Sequence, residues 1–126
     1  MNSPETVTKL LEHEAPQLDF DTARATNSFM RRLAERYRVR EAILFGSRAR
    51  HTHRSDSDAD IAVVLQGEHG NRTAAALDMA GIAFDVMMET GILIEALPLW
   101  ADDFEHPERF RNSRLLEQIR REGVRL

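Results

Sequence analysis

The sequence predicts an α/β (α+β) fold: a small mixed β-sheet of about four strands flanked by helices. Three observations carry that expectation. Short apolar, β-branched runs at Val39–Phe45, 61–65 and 82–88 have the length and composition of strands. Apolar residues recur at helical spacing between and around them, as in Phe29, Leu33 and Tyr37, and again in Leu115, Leu116 and Ile119. At 126 residues, with no linker-like stretch, residues 1–126 read as one domain around one core.

Taken in order, residues 4–13, with Val7, Leu10 and Leu11 apolar, suit a short amphipathic helix that Pro16 brings to an end. Asp19 or Asp21 offers an N-cap for a stronger helix running to about Arg36. Its face of Phe29, Leu33 and Tyr37, with Met30 and Ala34 beside it, packs on the sheet, and Arg31, Arg32, Glu35 and Arg36 face solvent. Val39–Phe45 is the first strand, and Gly46-Ser47 turns the chain at once into a polar loop over 49–57. Asp58-Ala59-Asp60 leads into the second strand. Asn71 caps an alanine-rich helix through Ala80, with Gly81 as its left-handed stop.

Residues 82–88 then read as a third strand that carries a lone acid, Asp85. An unpaired carboxylate among apolar neighbours demands a cause, since burying it alone is costly. Residues 92–100 form a fourth strand or apolar edge segment, which Pro98 confines to a sheet edge. Trp100, Phe104 and Phe110 are read as core or interface anchors, not a base-stacking platform. Asn112 or Ser113 starts the last helix and Gly123 stops it.

Composition narrows the function. A formal net charge of −4 argues against bulk binding to nucleic acid, so nucleic acid is not expected as a direct substrate. All of the seventeen basic residues but Lys9 are arginine, whose planar fork suits phosphates and carboxylates. The absence of cysteine excludes disulfides and thiolate metal sites. No stretch is apolar for long enough to span a bilayer, and residues 1–19 lack the apolar core of a signal peptide. The expectation is a cytoplasmic protein with no membrane contact. His51 and His53 lie two apart in the polar loop without other soft ligands, and they read as surface residues, not as a metal site.

The chemistry concentrates between Phe45 and Val64. A glycine and a serine directly after a strand let a phosphate approach bare backbone N–H groups, and Ser47 adds a hydroxyl. Ten residues separate Ser47 from Asp58. Strand side chains alternate, so Asp58 and Asp60 share a face, and two neighbouring carboxylates call for a shared cation.

Gly46, Ser47, Asp58 and Asp60, with Phe45, Arg48, Ala49, Arg50, Asp56 and Ser57 agreeing around them, resemble the signature of the polymerase-β-like nucleotidyltransferases. In so short a chain the resemblance is to the minimal nucleotidyltransferases, antitoxin partners of HEPN-domain toxins. It is strongest over residues 40–65. His51 departs from it, standing where many relatives have glycine.

The resemblance implies a polymerase-β-like nucleotidyltransferase fold and transfer of AMP from ATP to a hydroxyl, a tyrosine of a HEPN ribonuclease toxin, which is thereby silenced. It implies Asp58, Asp60 and Asp85 as catalytic metal ligands for two Mg²⁺ ions, with Mn²⁺ as a substitute, because hard oxygen donors select such cations. Gly46, Ser47 and Arg48 would bind the nucleotide phosphates. Two alternatives stand beside this reading: a non-catalytic binding antitoxin, and a small-molecule nucleotidyltransferase of the antibiotic-modifying type whose active site is completed in a homodimer.

Overall fold

The computed structural model describes residues 18–126, so the expected helix at 4–13 lies outside the described residues. Helix α1 (Phe20–Ala34) begins at Asp19, whose carboxylate accepts the Thr22 N–H at 3.4 Å. Strand β1 (Val39–Phe45) leads into a single helical turn, α2 (Ser47–Arg50), where the sequence suggested only loop. Strand β2 (Ala59–Leu65) follows, then the long helix α3 (Arg72–Thr90), strand β3 (Ile94–Trp100) and the short helix α4 (Ala101–Glu105). Helix α5 (Ser113–Glu122) starts at Asn112, whose side chain accepts the Leu115 N–H, and a two-residue strand β4 (Val124–Arg125) closes the chain.

The strands lie in the order β3-β2-β1-β4. Strand β1 runs antiparallel to both β2 and β4, whereas β2 and β3 are parallel. A parallel pair needs a long crossover, and α3 supplies it. The expected strand at 82–88 is therefore corrected to the second half of α3. Its buried residues Ala75, Met79, Ile82, Ala83 and Val86 recur at i, i+4, i+7, i+8 and i+11, a helical stripe that continues straight through Gly81. The helix ends instead at Gly91, in the left-handed conformation with φ 79°. The strand at 92–100 is β3, and it does lie at a sheet edge.

Both faces of the sheet are covered. On one, Leu44, Ile61, Val63 and Ile94 pack against Phe29 and Leu33 of α1 and Met79, Ile82 and Val86 of α3. On the other, Ile43, Phe45, Ala62, Val64 and Leu99 meet Leu116 and Ile119 of α5. Helices α1 and α3 run antiparallel and are tied at two levels: Ser28 and Arg32 to Glu89, and Arg36 and Tyr37, just past the end of α1, to Asp78. No helix among the described residues is long and apolar enough to cross a membrane.

Candidate active site

The turn after β1 takes a conformation that only glycine adopts with ease. Gly46 has φ 75° and ψ −157°, and a Cβ placed there would collide with Oδ2 of Asp60. Gly46 thus serves twice, bending the chain toward Ser47 and leaving room for a carboxylate. The turn ends at His51, a non-glycine residue in the left-handed region with φ 59°. The position that the resemblance gives to glycine does need glycine-like backbone, and histidine adopts it at a cost of about 1 kcal/mol.

Strand β2 carries the acids. Phe45 pairs with Asp60 across the antiparallel ladder, which sets the Gly46-Ser47 turn beside that carboxylate. Asp60 extends the row of Ala62 and Val64, so the acids project from the sheet face that α5 covers. On the parallel neighbour β3, Asp60 is in register with Glu95, which extends the row of Leu97 and Leu99. Glu95 is exposed, while Asp58 and Asp60 are half-buried. The site is open to solvent.

Asp58 and Asp60 lie close enough to Glu95 to change its titration. Contact with Asp60 and then with Asp58, helped by partial burial, raises the Glu95 pKa to about 7. Burial also raises that of Asp60; the bond with Glu95 pulls it down, the Asp58 charge pushes it up, and Arg50 lowers it. Without a cation, Glu95 therefore gains and loses its proton close to neutral pH. Oxygen donors at an accessible edge are the ligand type that divalent cations of the Mg²⁺ or Mn²⁺ kind take, although the ligand atoms of these three carboxyls do not all lie within 4.8 Å of one another.

Asp85 is not among them. It lies on the exposed side of α3, and α3 packs on the sheet face opposite the one from which Asp58, Asp60 and Glu95 project. The third acid beside the pair is Glu95, which the sequence reading passed over. Its signal was the same as that given to Asp85, a lone acid inside an apolar run, here Ile92-Leu93-Ile94-Glu95-Ala96-Leu97.

Arg48 is also placed otherwise than expected. Its guanidinium is buried, 2% exposed, and turned inward to backbone carbonyls, so it does not face the open site. Arg50, two residues on, is partly exposed, lies near enough to Asp60 to affect its charge, and pairs with Glu122 of α5 at 3.4 Å.

One other constellation has metal-ligand character. His69, Asp102 and Asp103 bring one donor atom each within 4.8 Å of one another. It sits beyond the far ends of β2 and β3, where Leu65 pairs with Trp100. Both oxygens of Asp103 are held by Arg72, at 2.8 and 3.1 Å, and one also accepts the Trp100 N–H at 2.9 Å. The guanidinium already supplies the positive charge there, so this cluster is a structural ion-pair network. A cavity of about 420 Å³, lined by Arg40, Glu41, Phe104 and Arg120 among others, does not include the acids of β2 and β3.

The sequence model of the nucleotidyltransferase domain family matches residues 27–120. No curated protein matches the sequence. Among solved structures, a toxin–antitoxin with AMP-PNP is 20% identical at a TM-score of 0.56, with 79% of this chain and 69% of that chain covered. At that score the two share a fold. A Sulfolobus solfataricus protein, provisionally assigned as a nucleotidyltransferase, is 18% identical at 0.49, covering 83% and 81%. A mutant of the toxin–antitoxin MntA-HpeT is 19% identical at 0.45, covering 100% and 72%.

Proposed function

The chain belongs to the nucleotidyltransferase domain family, and from that premise we propose that it transfers AMP from ATP to a hydroxyl of a partner toxin. The observation that carries this reading is the meeting of Asp58, Asp60 and Glu95 beside the Gly46-Ser47 turn. The shared fold with a toxin–antitoxin that holds AMP-PNP supports a toxin partner and a nucleoside triphosphate donor. The resemblance to the minimal nucleotidyltransferases supports a HEPN ribonuclease as that toxin and a tyrosine as the acceptor.

The residues divide the work by position. The backbone of Gly46 and the hydroxyl of Ser47 bind the phosphates that leave as pyrophosphate. Arg50 is the cation the site offers to those phosphates, and it must exchange Glu122 for them. Asp58, Asp60 and Glu95 would hold Mg²⁺ ions, which supply charge neutralisation and activation of the attacking oxygen. In the transfer, the acceptor oxygen forms its bond to the α-phosphorus as the bond to the pyrophosphate oxygen breaks. Glu95, in register with Asp60 on the neighbouring strand, is the carboxylate placed to take the proton that the hydroxyl loses.

Incubation with α-labelled ATP, Mg²⁺ and the protein encoded beside this one tests the reading. Label should appear on that partner and fall by about 10²- to 10⁴-fold in Asp58→Ala or Asp60→Ala. Neutralisation of the partner without any label would favour a binding antitoxin. Label on a small molecule would favour the homodimeric small-molecule enzyme.

A further inference from the structure

The geometry points to Arg48 as a positioning residue that fixes Asp58 relative to the Gly46-Ser47 turn, an inference that rests on the nucleotidyl-transfer reading of this site. Arg48 heads the fully buried side chains of the described residues when these are ranked by size. A guanidinium does not give up its proton, so burying one demands acceptors on several sides. Arg48 has them. Nε donates to the Ser57 carbonyl at 3.0 Å, Nη2 to those of Ser55 and Arg54 at 3.2 and 3.4 Å, and Nη1 to the Thr22 hydroxyl at 2.8 Å.

Those acceptors explain what the side chain does. Residues 54–57 form a turn of their own, closed by Ser57 N–H to the Arg54 carbonyl and by the Arg54 N–H to the Ser57 hydroxyl. The next residue is Asp58. Arg48 itself follows directly on Gly46-Ser47, and Thr22 lies in the first turn of α1. One side chain therefore joins the turn proposed to hold phosphate, the turn that delivers an acid, and the helix beneath both. Among the described residues no carboxylate pairs with it, although Asp19 feels its charge. The fork is spent on backbone geometry and not on a counter-ion.

The shape of the group matters more than its charge. A lysine ammonium radiates three donors from one atom and cannot span Ser57 on one side and Thr22 on the other. Supporting residues behind a metal ligand typically tune affinity by about 10- to 100-fold. Arg48→Lys is expected to weaken binding of Mn²⁺ with a non-hydrolysable ATP analogue by that factor, measured by calorimetry on the full chain. Thr22→Val, of nearly the same shape, removes one acceptor and should weaken it about fivefold. In both variants the amides of residues 55–58 should exchange with solvent faster than in the wild type, with or without nucleotide.

The outcomes separate. If the wild-type protein fails to bind Mn²⁺ with the analogue, the reading of the site falls and this inference with it. If the wild type binds and both variants bind equally well, the positioning role alone is overturned, even where residues 55–58 exchange faster. Should Arg48→Lys not fold, the Thr22→Val affinity decides.

Discussion

Asp60 of β2 and Glu95 of β3 stand in register across the parallel pair of strands, and their carboxyls contact one another. This contact joins two acids that lie 35 positions apart in the sequence and are separated by the whole of α3. Its consequence is an acid of unusual pKa at the edge of the sheet.

Glu95→Gln is expected to abolish label transfer while preserving the fold, and its metal-free form should respond differently to pH. The folded pKa of Glu95 is raised to about 7 by its contacts with Asp60 and Asp58. Its contribution to stability is therefore full below the unfolded pKa and lost as pH rises through about 7. Melting curves with chelator at about pH 5 and about pH 8 should show a loss in the wild type that the variant lacks. An identical pH response in the two proteins would mean that the carboxyls do not interact.

Asp85→Asn should leave transfer within about twofold of wild type, as expected of a surface substitution outside the site. Asp85 and the three clustered acids belong to opposite sides of the sheet. A loss of a hundredfold in the labelling assay would put Asp85 back among the catalytic acids.

Gly81→Ala should stabilise the protein by about 0.5–1 kcal/mol in denaturant titrations. Gly81 is exposed in the middle of α3, and an added Cβ meets nothing within 4 Å. Alanine is the better helix former by about that amount. Destabilisation would indicate that residue 81 ends the helix, as the sequence alone suggested.

Asp103→Asn should destabilise by about 1.5–3 kcal/mol, because it removes the negative charge facing the half-buried Arg72 guanidinium and one of the two oxygens that accept from it, leaving the Pro98 carbonyl as its other acceptor. Burial pushes the Asp103 pKa up, but the Arg72 and Trp100 hydrogen bonds outweigh it and leave the pKa lowered. The wild-type contribution is thus present above the unfolded value near 4 and disappears as pH falls through the folded one. Acid titration of wild type and variant should show their stabilities converging only below about pH 4. A gap that persists unchanged into stronger acid would overturn the ion-pair account.

What the sequence determined by itself was whatever depends on neighbours along the chain. Gly46 and Ser47 follow a strand directly, and Asp58 and Asp60 alternate at its successor's start, so their turn and common face were legible from spacing. The cap at Asn71 and the stripe of Leu116 and Ile119 were legible for the same reason. Residues 82–88 were not, because a short apolar run with one acid fits strand and helix alike. Packing of Met79, Ile82 and Val86 on the sheet chose helix, and that choice carried Asp85 away from the site. The length of α3 in turn set where β3 returns beside β2, so tertiary structure alone made Glu95 the partner of Asp60. It likewise turned Arg48 inward, since the acceptors that satisfy a buried guanidinium come from a helix and a loop that only folding brings to it.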